Sequence, residues 1–291
     1  MKYQNKEGWL FVAPLLCWLA FSICVPLYIA IELSFFDIKI IGTEGKFVGF
    51  KNYIKTLNSS KFPKALTNSI YWVLANAVTQ TFFAFLIALT LNKHFKGVKI
   101  ATNWIILSFI IPTVVIVVIW KLMLSSSSGI INSLLVQLHI IDKPIGFFSS
   151  STSAFVSLVL INSWRWSPFL ALIILSGLKS IHQEIYDASK IDGAGFFAEF
   201  FQITLPQLKG VLFVLGLVGT LLSFNVFDII WLITKGGPSS ATTTLPLLIY
   251  ETAFTKFRLS QAAALSVITS FILLTFSIVF IKVMGKDHDE R

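Results

Sequence analysis

The run IATNWIILSFIIPTVVIVVIW, residues 100–120, holds 21 residues without one Asp, Glu, Lys or Arg. About 18 to 20 such residues, wound as a helix, cross the roughly 30 Å of hydrocarbon in a bilayer. Four more charge-free runs accompany it: Gly8 to Ile31, Ala65 to Asn92, Gly210 to Phe227 and Leu259 to Ile281. A further apolar stretch, Thr152 to Leu178, is interrupted only by Arg165. Backbone groups exposed to lipid must be satisfied within their own segment, so helices or closed barrels are the available solutions. The runs are continuous rather than alternating, which selects helices. The fold class expected is therefore an all-α polytopic membrane protein with six transmembrane helices, at about 9–31, 67–91, 100–123, 152–178, 210–233 and 262–284.

The composition agrees, with 55% hydrophobic and only 13% charged residues. The first run contains Pro14 and Pro26 and ends without a small-x-small cleavage pattern, so it reads as a retained helix rather than a signal peptide. Cys17 and Cys24 lie about 10 Å apart along one helix at ~1.5 Å per residue, too far to bond to each other. The net charge of +9 sits in short links between spans, which favours anionic lipid headgroups over nucleic acid as its counterpart. The four histidines, His94, His139, His182 and His288, are too dispersed for a metal cluster.

Six spans put both termini on one side. Basic residues divide evenly between the two sides, and the densest basic cluster joining two spans directly, NKHFKGVK at 92–99, places the N-terminus in the cytoplasm. The organisation expected is a cytoplasmic N-terminus at 1–8, a membrane domain at 9–284 with a cytoplasmic loop at 179–209, and a cytoplasmic tail at 285–291. FVGFKNYIKTL, from Phe47, reads as a short amphipathic interfacial segment, and INSLLVQLHI after the serine run reads as a surface helix. TKGGPSS, Thr234 to Ser240, reads as a turn.

Phosphate-cradling, zinc-protease, serine-hydrolase and CxxC motifs are all absent from the sequence, so no nucleotide site and no catalytic centre is expected in this chain. The polar chemistry is concentrated in EIYDASKIDGAGFFAEFFQITLP, Glu184 to Pro206. It reads as two short helices around a turn. Ile181, Ile185 and Ala188 make one apolar face, with Glu184 and Asp187 toward the polar side. Asp192 is placed to cap the second helix, and Gly193-Ala194-Gly195 leaves little bulk at the bend, so that another surface can approach. Phe196 with Phe200, and Phe197 with Phe201, are spaced to pair one turn apart. From these residues alone, a loop resting on the bilayer and a docking element remain equally open.

Within the spans, Arg165 costs about 2.5 to 3.5 kcal/mol at a helix centre, so it must face protein or water, as a structural partner or as a pathway residue. Asp228, with Asn225 and Ser223 nearby, could pair with Arg165, cap a break or meet solute. Asn76 and Gln80, one turn apart, could bond across helices or meet sugar hydroxyls.

The 184–206 segment resembles the "EAA" loop of ABC importer permeases, with pattern EAAxxDGAxxxxxFxxIxLP. The matching residues are Asp192, Gly193, Ala194, Phe200, Ile203, Leu205 and Pro206, and Asp187, Ala188 and Ser189 stand where the family has Glu-Ala-Ala. The order of ILSFIIPTVVIVVIWKLML (106–124), GIINSLL (129–135), WRWSPF (164–169), ITLPQLKG (203–210) and FNVFDIIWLITKGGP (224–238) resembles the MalF-like branch serving sugars and glycerol phosphate. The resemblance implies the MetI-like permease fold and one half of a translocation pathway. It implies as partners a second permease subunit, two ATPase subunits that bind ATP and Mg, and an external solute-binding protein, in a prokaryotic plasma membrane. Glu184, Asp187, Ala188, Asp192, Gly193, Ala194, Phe200, Leu205 and Pro206 would belong to the coupling loop seated on the ATPase. A self-contained secondary transporter or a membrane scaffold is the contrasting class.

Overall fold

In a computed structural model the described residues are 4–38, 45–93 and 95–289. His94, used above for topology and metal binding, lies outside them. The described chain is almost wholly helical. Five helical stretches are long and apolar enough to cross a membrane: Phe11–Phe35, Lys61–Leu91, Ser151–Ser180, Lys209–Thr234 and Leu259–Val283. A sixth candidate, Val98–Ile110 followed by Thr113–Met123, is bent by 97°.

That bend corrects the reading of 100–120 as one helix. Pro112 lacks an amide hydrogen and its ring crowds the residue before it, which pushes that residue out of the helical region. Ile111 is accordingly extended (φ −63°, ψ 129°), and Pro112 precedes the second helix at φ −56°, ψ 139°.

The chain divides into two compact units, residues 1–63 with 248–274, and residues 64–247 with 275–291. In the first, α1 (Gln4–Phe35) runs longer than the expected 9–31. From Phe11 to Glu32 nearly all of its side chains are exposed, with Phe11 85% exposed, as an apolar helix offered to lipid should be. Cys17 and Cys24 are exposed and free. The end of α1 is fastened: Ser34 Oγ shares a hydrogen with Tyr53 Oη at 2.6 Å, and Asn52 Nδ2 donates to the Ser34 and Phe36 carbonyls at 2.9 Å. Tyr53 and Asn52 belong to α2 (Lys51–Leu57), which follows a two-residue antiparallel ladder pairing Phe36 with Phe47. Phe47, Phe50 and Ile54 are exposed, in keeping with an apolar face lying along an interface.

The second unit is organised around α7 (Ser151–Ser180), the most buried of the spans, which starts with a reciprocal Ser150–Ser153 capping box. One side of its core gathers Trp72 of α3 (Lys61–Leu91), Ile116 of α5 (Thr113–Met123), Leu158 and Ile161 of α7, and Ile229 and Ile230. The other gathers Ala84, Ala88 and Leu91 with Ala171, Ile174, Leu178 and Leu208. The alanines of α3 share this cluster with larger side chains of α7. Between α5 and α7 lies α6 (Ile130–Gln137), at eight residues far too short to cross, as expected for INSLLVQLHI. After α7 come α8 (Gln183–Ile191), α9 (Phe196–Ala198), a π-helical turn (Glu199–Thr204), α10 (Leu205–Gln207) and α11 (Lys209–Phe224). A break at 225–227 separates α11 from α12 (Asp228–Thr234). In the turn after it, Gly236 has φ +85°, whereas Gly237, also expected to use positive φ, does not. α13 (Leu245–Tyr250) and α14 (Leu259–Asp289) complete the chain.

Candidate functional site

α8 ends at Asp192 in a Schellman motif: Ala194 N donates to Ser189 O at 2.9 Å and Gly193 N to Lys190 O at 3.1 Å, with Gly193 left-handed at φ +80°. Asp192 is thus the C-cap of the first helix and not the cap of the second, a correction to its expected place. The N-cap of α9 is Gly195, with no side-chain hydrogen bond. Glycine at 193 answers a backbone requirement, since a Cβ there would meet nothing within 4 Å yet would stand in the left-handed region. Gly195, at φ −79°, is under no such constraint, and a Cβ there also meets open space. The small-residue opening at the bend therefore rests on Gly195 and Ala194.

The two arms of the loop are tied together. Tyr186 Oη of α8 and Thr204 Oγ1 of the π-helical turn share a hydrogen at 3.2 Å; within α8 itself the buried Ser189 donates to the Tyr186 carbonyl at 2.9 Å. The loop is tied to the helices by Phe200, whose ring meets Phe85 edge-on at 5.6 Å, and by Leu208, which is 1% exposed. Leu205 and Pro206 are half-buried beside it. The aromatic pairs run between neighbours, Phe196 with Phe197 and Phe200 with Phe201, because the π-helical turn takes the place of the regular α spacing that would pair residues four apart.

What this frame leaves outward is apolar: Ile191 is 87% exposed, Phe197 73%, with Phe196 and Phe201 also exposed. Glu184, Asp187, Ala188, Asp192 and Gly193 are exposed on the same loop. Asp187 accepts from Gln183 Nε2 at 3.1 Å and stands 3.9 Å from Lys190 Nζ, a solvated contact of small energetic weight. Ile191 went unmarked in the sequence, although an isoleucine beside Asp-Gly at a helix end is itself a sign of a surface awaiting cover.

Among the pathway candidates, Arg165 on α7 and Asp228 at the start of α12 meet at 3.2 Å. Asp228 also accepts from the Ile229 amide at 2.9 Å through its other oxygen; it is the first residue of α12, so its carboxylate stands in the first helical turn after the 225–227 break, while the N-cap is Phe227 and carries no side-chain hydrogen bond. The guanidinium lies 5.6 Å from the Trp166 ring, and its buried Nε has no partner among the described residues. Asn225 is not brought to this pair; it is exposed and donates to the Leu221 carbonyl at 2.9 Å. Asn76 and Gln80 are buried on α3. Asn76 Oδ1 accepts from Gln80 at 2.9 Å and from Asn162 of α7 at 2.7 Å, and its amide donates to the Trp72 carbonyl. Asn162 was overlooked in the sequence, and its signal was an amide inside an apolar run. Among the described residues no group of three or more His, Cys, Asp or Glu could hold a metal ion.

Comparison with known proteins adds to these observations. Residues 80–284 match the family described as binding-protein-dependent transport system inner membrane component. The chain is 33% identical over 288 residues, covering 97% of itself and 95% of the relative, to the trehalose/maltose transport system permease protein MalF of Thermococcus litoralis. It is 29% identical, over 97% of itself and 94% of the relative, to the lactose transport system permease protein LacF of Rhizobium radiobacter. A solved bacterial ABC transporter involved in alginate import has a chain with the same fold, at TM-score 0.82 and 21% identity over 97% of each chain. A multi-pass helical chain, matched along nearly its whole length by MalF-type permeases, belongs to the binding-protein-dependent family of inner-membrane permease subunits of ABC importers.

Proposed function

We propose that the chain forms half of the translocation pathway of an ATP-driven importer for a sugar or oligosaccharide. In this reading the bent pair counts as one span, giving the six-span MetI-like arrangement with both termini in the cytoplasm. The 184–206 loop docks in a partner ATPase, and a second permease subunit and an external binding protein complete the assembly. The observation that carries the proposal is the pairing of stiffness with exposure in the loop. Its arms are bridged by Tyr186 and Thr204 and anchored on α3 through Phe200, while Ile191 and Phe197 stand almost free of their own chain. A segment that transmits force must be rigid, and moving a conformational equilibrium from 1:99 to 99:1 requires about 5.5 kcal/mol of differential binding. A loop lying loosely on lipid could not pass on that energy. The sugar reading is supported by the names of the relatives, trehalose/maltose and lactose transport permeases. Arg165 and Asp228 are the proposed pathway pair.

The test is co-expression with candidate permease, ATPase and binding-protein subunits, followed by ATP turnover with each loaded binding protein. Stimulation by a sugar-loaded binding protein is expected, and stimulation by glycerol phosphate instead would reassign the solute. Uptake that follows an ion gradient and ignores ATP, with no ATPase co-purifying, would overturn the proposal.

A further inference from the structure

A cavity of about 310 Å³ in the first unit is lined by none of the residues of the 184–206 loop and by neither Arg165 nor Asp228. Its walls carry three cationic side chains, Lys61, Lys256 and Arg258. Hydroxyls and an amide stand between them, from Thr56, Ser59, Ser60, Thr252 and Gln261. Only one of the three cations is neutralised, Lys256 by Glu251 at 3.7 Å. Among the described residues neither Lys61 nor Arg258 has a carboxylate at ion-pair distance. The cavity is therefore positive on balance, and two geometric features add to this. Lys61 and Leu259 begin the two spans Lys61–Leu91 and Leu259–Val283, so the positive ends of two helix dipoles meet at the cavity. Thr56, only 4% exposed, keeps its Oγ1 without any hydrogen-bond partner among the described residues. A buried hydroxyl left unpaired costs about 1 to 3 kcal/mol, so it is a vacancy for an acceptor or donor from outside the chain.

The geometry points to a binding site for a phosphate-type oxyanion at the membrane boundary, held by Lys61, Lys256 and Arg258 with Thr56 completing the hydrogen bonds. Phosphate offers several acceptor oxygens to convergent cations, and Arg258 can meet two of them at once. The position at the beginning of two spans is where a lipid phosphodiester resides, and soluble phosphate has the same chemistry. Burial, followed by the neighbouring Lys61 charge, holds the Lys256 ammonium below its usual range against the opposing pull of Glu251, with Arg258 adding to the depression. An anion seated among them would relieve that strain.

The experiment uses the full chain, with the subunits that co-purify, in phosphatidylcholine nanodiscs. Phosphatidylglycerol retention is counted by native mass spectrometry, and inorganic phosphate is titrated as competitor and as thermal stabiliser. Wild type is expected to retain phosphatidylglycerol. Lys61→Gln with Arg258→Gln should weaken that binding about tenfold or more. Thr56→Val should weaken it a few-fold, and Lys51→Gln, on exposed α2 surface, should leave it unchanged. Retention that phosphate does not displace identifies a lipid headgroup as the ligand. Displacement together with phosphate-dependent stabilisation identifies a soluble oxyanion, and either upholds the site. Without anion the double variant should melt no lower than wild type, because two repelling charges are gone; should it fail to fold, Thr56→Val carries the test. Absence of both retention and phosphate stabilisation in wild type, or wild-type affinity in the variants, overturns the proposal.

Discussion

Phe197 and Phe200 sit three residues apart in the 184–206 loop yet should fail in different ways when truncated to alanine. Phe197 is 73% exposed and contacts its own chain mainly through Phe196, whereas Phe200 is half-buried against Phe85. If Phe197 is covered on docking, the ring removes on the order of 100 Å² from water, and at ~25 cal/mol/Å² this contributes about 2.5 kcal/mol. A loss of that size weakens association roughly 50- to 100-fold, since ~1.4 kcal/mol is tenfold. Phe197→Ala should therefore leave the thermal midpoint of the isolated chain unchanged, because exposed positions away from special features shift stability by about 0.5 kcal/mol or less. Phe200→Ala should lower stability by about 1 to 2 kcal/mol through the lost ring pair and packing on α3. Affinity of the detergent-solubilised chain for its ATPase, measured by interferometry beside thermal unfolding, separates the two outcomes. Wild-type ATPase affinity and coupled transport in Phe197→Ala would refute the docking reading, and a lowered midpoint in that variant would refute the exposure argument.

The bend offers a matched pair of the same kind. Gly193→Ala places a Cβ at φ +80° and should cost about 1 to 2 kcal/mol of loop stability, read as faster hydrogen exchange across α8, with Gly193→Asn costing less. Gly195→Trp, at an ordinary φ with open space around it, should leave exchange unchanged and abolish ATPase association by bulk alone. In the membrane domain, Asn76→Leu strands the amides of Gln80 and Asn162 and should cost about 1 to 3 kcal/mol in denaturant unfolding. Adding Asn162→Leu should restore part of that loss. A variant of unchanged stability and altered solute stimulation would instead make Asn76 a solute contact.

How much of this was readable in the residues depended on whether a feature is local. The spans were legible because lipid demands an uninterrupted apolar run, and the loop because it interrupts two such runs with charge. The 97° bend at Ile111–Pro112 was missed by counting apolar residues, which is blind to the one residue in the run that cannot donate a hydrogen bond. The conformational reason for Gly193 was missed too, since Gly-x-Gly fits both a close approach and a left-handed turn. Asn162, Lys61, Lys256 and Arg258 take their meaning from neighbours remote in sequence, and no local window contains them.

Asp228 shows why listing alternatives from a sequence can mislead even when each is physically sound. Pairing with Arg165 and a place at the helix break read as competing roles, but a carboxylate has two oxygens, and here they are divided: from the first turn of α12, Oδ1 accepts from the Ile229 amide and Oδ2 meets the Arg165 guanidinium. The two roles support each other. The bond from the Ile229 amide fixes where the carboxylate stands relative to α12, so the charge on α7 is met by an oriented partner whose position depends on the 225–227 break. Anything that closes or moves that break must also move the anion facing Arg165, which is met through Nη1 while Nε has no partner among the described residues. Helix geometry and charge pairing are thereby joined in one residue at a place where the span is not continuous.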